Sequence, residues 1–119
     1  MSGRTEKDRC QDILDAIAEI RQFTQGMDFD AFRADPRTIK AVELNFIVIG
    51  EAASHIPDPF QHSHPEVPWN LMKAMRNRLV HVYFSVDPRI VWDTLTNNLP
   101  PLVEPLMKLH SENTLVQQP

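Results

Sequence analysis

"PRTIKAVELNFIVIGEAASH", residues 36–55, is the stretch on which the fold turns. Asp35 followed by Pro36 is a helix start: a capping side chain, then a residue whose fixed φ suits the first turn. From there apolar residues recur at helical spacing. Ile39, Val42, Phe46, Ile49 and Ala53 form one stripe; Leu44, Ile47 and Val48 form a second. A helix with two apolar faces has to be covered on both. The rest of a small helical domain can cover one, and a second copy of the chain is expected to cover the other. Gly50 sits inside this helix at a cost of about 1 kcal/mol relative to alanine. With Ala52 and Ala53 it makes a notch suited to close helix approach. Glu51, beside it, has two readings: a solvated surface acid, or a buried partner of an arginine or asparagine.

Outward from this helix every periodic pattern is helical. Cys10, Ile13, Leu14, Ile17, Ile20 and Thr24 predict a helix from about Thr5 to Thr24, stopped by Gly26. Asp28 is placed to cap a short helix carrying Phe29 and Phe32. Residues 56–68, IPDPFQHSHPEVP, hold four prolines and read as a loop with room for one helical turn. Pro68 can open a helix running to about Phe84. Asp87-Pro88 repeats the earlier start signal before Ile90, Val91, Trp92 and Leu95. Leu99-Pro100-Pro101 breaks or kinks that helix, and a last helix is expected to end near His110. No strand pattern or internal repeat occurs. The expectation is an all-α, up-and-down four-helix bundle with additional short helices, as one domain over residues 1–110 and a flexible tail over 111–119.

The chain has 119 residues and a single cysteine, so no intrachain disulfide can form. The N-terminus has no apolar signal-peptide core, and no apolar run is long enough to span a bilayer. A cytoplasmic protein without membrane contact is expected. The net charge of −4 argues against a generic electrostatic nucleic-acid binder. Its distribution says more. Between Glu66 and Asp87 there is no acidic residue, while Lys73, Arg76 and Arg78 give that segment +3 and leave −7 for the remainder. Such a patch is either a solvated helix face or a local phosphate site.

On a helix over residues 69–84, Met72, Met75, Leu79 and Val82 form the core stripe. Lys73, Asn77, His81 and Phe84 point away from it, and Arg76 and Tyr83 nearly eclipse each other beside it. Asn77 can orient the His81 imidazole four residues on. Arg76 and His81 diverge by roughly 140°, so one copy makes a loose site. Two copies across a twofold axis make a tighter one, with two arginines and two histidines in one cleft. An imidazole can move a proton near neutral pH, a guanidinium can hold phosphate oxygens, and RNA brings its own 2′-hydroxyl nucleophile. The pair suffices for RNA transesterification without a metal or cofactor. The same pair can also grip a phosphate without turning over, as a nucleotide- or partner-binding module, or serve a purely structural dimer.

The segment RNRLVHVY, Arg76 to Tyr83, resembles the R-x4-H-x-Y motif of HepT-like toxins in the HEPN superfamily. DILDAIAEIRQFTQG (12–26), AVELNFIVIGEAA (41–53), HPEVPW (64–69) and VWDTLTNNLPPL (91–102) resemble the family's other blocks in order, over roughly residues 5–110. The resemblance implies a metal-independent ribonuclease toxin, an all-α homodimer with its cleft at the dimer interface. Arg76 and His81 match the catalytic pair, and Asn77 the polar residue after the arginine. Lys73 and Glu51 stand as supporting residues, Glu51 in a recurrent G-E-A element. The implied partners are an RNA substrate, tRNA among them, and an MntA-like nucleotidyltransferase antitoxin that attaches AMP to Tyr83. Val82 departs from the acidic residue often found between the histidine and tyrosine. His55, His62 and His64 surround the proline-rich loop but match no zinc spacing. Trp69 and Trp92 read as core or interface anchors, and Cys10 as buried packing.

Overall fold

The computed structural model describes residues 4–82 and 87–116, leaving aside the side chains of 81, 82 and 112–116. Among the described residues the fold is all-α: α1 (Glu6–Phe23), α2 (Phe29–Arg33), α3 (Pro36–Ser54), α4 (Asp58–Ser63), α5 (Trp69–Val82), α6 (Pro88–Asp93) and α7 (Pro100–Val116). Four helices are long and three are short. α3 lies between α1 and α5, α7 packs on α1, and α6 packs on α2.

The starts are where the caps put them. Thr5 and Asp8 close a capping box: Thr5 Oγ1 accepts from the Asp8 amide at 3.2 Å, and the Asp8 carboxylate accepts from the Thr5 amide at 2.9 Å. Asp28 caps α2 through the Ala31 amide, Asp35 caps α3 through the Thr38 amide, and Asp87 caps α6 through the Arg89 amide. Gly26 ends the α1 turn with a φ of 78°, a conformation that costs glycine little.

The core follows the predicted stripes. Cys10, Ile13, Ile17 and Ile20 of α1 meet Val42, Phe46, Ile49 and Ala53 of α3, and Met72 and Leu79 of α5 close the other side. Thr24 is buried too, its hydroxyl donating to the Ile20 carbonyl at 2.8 Å. The second α3 stripe divides: Ile47 packs against the core, while Leu44 is 62% exposed and Val48 38% exposed. Phe32, fully buried, anchors α2 against Trp92 at 5.1 Å between ring centroids. The Arg89 guanidinium lies 4.5 Å over the Phe29 ring beside this pair.

The Leu99-Pro100-Pro101 break is a wide turn. Residues Thr94–Asn98 form one π-helical turn, in which the Leu99 amide donates to Thr94 O at 3.3 Å. The two prolines then fall in the first turn of α7, where their missing N–H groups cost nothing. α7 continues past Pro105 to Val116, so the helix end expected near His110 is corrected to six residues further on. Among the described residues no helix is long and apolar enough to cross a membrane.

Phe32→Ala should lower unfolding stability by about 3–5 kcal/mol in urea titration, because it empties a closed aromatic site. Acid unfolding should also report Asp35. Hydrogen bonds from the Thr38 hydroxyl and amide hold its carboxyl below the ordinary carboxylate range. A depressed folded value gives stability that is full above the ordinary pKa and is lost as pH falls through the folded one. Asp35→Asn should therefore flatten stability against pH below about 4.

Candidate active site

α5 carries most of the predicted site, and its start is fixed by Trp69. That indole is 5% exposed and donates through Nε1 to the His64 carbonyl at 3.0 Å. With Met72 and Leu79 turned into the core, Lys73 and Arg76 face the C-terminal half of α3 and the α4 segment. Asn77 and Arg78 are exposed.

Gly50 decides where Arg76 stands. A Cβ built at position 50 would lie 2.1 Å from Arg76 Cβ and 2.8 Å from the Met72 carbonyl oxygen. The stem of Arg76 therefore passes through the space a side chain would otherwise fill. This is the close approach anticipated from the Gly50, Ala52, Ala53 notch. Arg76 emerges beside Glu51, whose Oε1 lies 3.2 Å from Arg76 Nη1. Glu51 therefore partners the arginine, yet its side chain is 48% exposed, so it combines a surface acid with the expected pairing and lacks the expected burial. The guanidinium is half-buried, and its Nε is buried without a hydrogen-bond partner. One edge of the group is thus paired with a carboxylate, while the buried Nε is left without a partner.

Lys73, one turn earlier on α5, has a different partner. Its Nζ donates to Gln61 Oε1 at 3.1 Å. Gln61 was not singled out in the sequence, because it lies in the proline-rich stretch where nothing marks one side chain as buried. His81 belongs to α5, four residues after Asn77, but its side chain lies outside the described residues, as does the whole of Tyr83. The pairing of Arg76 with His81 is therefore one of sequence spacing along a shared helix.

The remaining candidates have ordinary roles. Trp92 packs on Phe32, and Cys10 is 1% exposed with its thiol pushed up to about 11 by burial, far too high for a nucleophile at neutral pH. The His55 ring is within 2.8 Å of the Glu51 carbonyl oxygen, and His64 lies 3.5 Å from the Glu66 carboxylate. Among the described residues no group of three or more histidine, cysteine or acidic side chains is arranged to hold a metal ion.

With this geometry in view, comparison with known proteins is specific. The family described as Ribonuclease HepT-like matches residues 13–109. The chain is 42% identical over 106 residues to the probable ribonuclease HepT of Thermococcus cleftensis, covering 89% of this chain and 96% of that one. It is 42% identical over 89 residues to a Methanocaldococcus jannaschii protein with a provisional RNase name, covering 75% and 74%. A Caldanaerobacter subterraneus protein with a similar provisional name is 32% identical over 99 residues, covering 83% and 88%. No solved structure matches the chain.

Gly50→Ala separates two opposing effects. Helix propensity alone favours alanine by about 1 kcal/mol. The collision with Arg76 Cβ and the Met72 carbonyl should outweigh it, for a net loss of about 1–3 kcal/mol in urea unfolding. Glu51→Gln should cost less than about 1 kcal/mol, since the pair is partly exposed.

Proposed function

The chain belongs to the HepT-like ribonuclease family, and on that premise we propose that it is the toxin of a toxin–antitoxin pair, a metal-independent endoribonuclease. The observation that carries this reading is the half-buried Arg76 guanidinium, set by Gly50 and flanked by Glu51, on the helix that bears His81. In the reaction His81 takes the proton of the RNA 2′-hydroxyl. The 2′-oxygen attacks the adjacent phosphorus, and the bond to the 5′-oxygen breaks. Arg76 stabilises the charge that grows on the phosphoryl oxygens. An imidazolium from a second copy protonates the departing 5′-oxygen. The products are a cyclic phosphate and a 5′-hydroxyl.

Two copies are part of the proposal, because Arg76 and His81 of one copy diverge around their helix. The exposed Leu44 and Val48 support a partnered α3 face. Lys73 and Asn77 are assigned to substrate contact and Glu51 to support of Arg76. Tyr83 is assigned as the site where an MntA-like nucleotidyltransferase antitoxin attaches AMP. Tyr83 follows Arg76 by seven residues in the chain, so an added AMP would bring negative phosphate to the segment that bears the arginine. The working domain runs to the end of α7, the substrate class includes tRNA, and the setting is the cytoplasm. The pairing of Arg76 with Glu51 also favours a second reading, a phosphate-gripping HEPN-type dimer that does not turn over.

Incubation of unmodified protein with total RNA in EDTA discriminates these readings. Wild type should cleave, and His81→Ala and Arg76→Ala should each lose at least about a hundredfold in rate. Because one imidazole must be neutral and the other protonated, the rate should pass through a maximum and fall at both lower and higher pH. Absence of cleavage by wild type would leave the binding module. Co-expression with a neighbouring nucleotidyltransferase should add mass in multiples of AMP at Tyr83; adducts elsewhere, or none, would remove the switch.

A further inference from the structure

Gln61 is buried, 8% exposed, within α4. Its Nε2 donates to the Ala53 carbonyl at 3.0 Å and to the Ile56 carbonyl at 2.8 Å, at the C-terminal end of α3. Those two acceptors fix the orientation of the amide. Turned over, it would set its oxygen against two carbonyl oxygens and its NH2 against an ammonium. Gln61 Oε1 is thereby presented to Lys73 Nζ at 3.1 Å. The amide oxygen is neutral, so Lys73 is held in place with its charge uncompensated by this partner. Arg76, one turn further along α5, has its charge offset by Glu51. The backbone positions of Lys73 and Arg76 are separated by about 4.5 Å along the helix axis. An ammonium has three donors, and this contact uses one.

We propose that Gln61 is a positioning residue that holds the Lys73 ammonium beside Arg76, so that the two cations engage successive phosphates of one RNA strand. The proposal rests on the ribonuclease reading above. Arg76 meets the phosphate at the cleaved linkage. Lys73 meets its neighbour and contributes affinity, not chemistry. The preferred substrate is then a strand with a phosphate flanking the cut, and a bare dinucleotide forfeits the contact.

The test uses the full-length chain, confirmed by mass to be unmodified. Binding of a 2′-O-methyl RNA oligonucleotide, which lacks the nucleophile, is followed by fluorescence anisotropy across a salt series. Cleavage of the matching ribonucleotide strand is followed in parallel. Lys73→Met should weaken binding about tenfold and flatten the log–log salt dependence by roughly 0.7. KM should rise in step while kcat holds within about twofold, and Lys73→Arg should restore the salt dependence. Gln61→Met should weaken binding about threefold without changing the salt dependence, because the charge remains. Gln61→Asn, which keeps an amide but withdraws its oxygen, replaces it where Gln61→Met does not fold. Wild-type affinity and salt dependence in Lys73→Met, a fall in kcat alone, or wild-type behaviour in both Gln61 variants would overturn the proposal. If wild type binds RNA without cutting it and the variants follow the expected pattern, the phosphate track stands and the ribonuclease reading falls. If wild type binds no RNA, both fall.

Discussion

The close passage of α5 over α3 at Gly50 is the constraint on which the rest of this structure depends. A hydrogen at that position lets Arg76 Cβ occupy the crossing point. The same contact sets the spacing of the two helices, brings Arg76 alongside Glu51 and turns Met72 and Leu79 into the core. A glycine inside a helix is a local defect by propensity. Here the defect is offset by packing, and its location fixes where the cation of the site emerges.

Around that crossing, buried polar groups tie the helices where apolar contact alone would leave their register loose. Asn45, 8% exposed, donates to Glu19 of α1 at 3.2 Å and to its own helix at Ala41 O. Gln61 plays the matching part at the other end of α3, joining its terminal carbonyls to α5 through Lys73. The two cations of α5 are thus held by different chemistry. A carboxylate holds Arg76 and reduces its net field, whereas an amide holds Lys73 and leaves its field intact.

Much of this was legible along the chain because helices are local objects. Caps at Asp28, Asp35 and Asp87 and the stop at Gly26 act within a turn of themselves, and the structure bears them out. The Gly50 notch was readable as a place of close approach, but not which residue would approach it. The α7 end was misplaced because Ser111 to Val116 carry no cap or proline, and a polar composition by itself does not stop a helix. That Glu51 pairs with Arg76 while staying exposed needed the fold, since the partner lies 25 residues away in the chain.

The sequence by itself determined the helical class, the order and starts of the elements, the core stripes, and the Arg76-to-Tyr83 segment as the place where polar chemistry gathers. Periodicity and capping fix these through neighbours three or four residues apart. Only the tertiary structure decided that Arg76 threads past Gly50 to Glu51, and that Gln61 turns its oxygen to Lys73. Both depend on the distance and rotation between separate helices. That geometry is set by the sum of many weak packing contacts across the core, and no single stretch of chain encodes it.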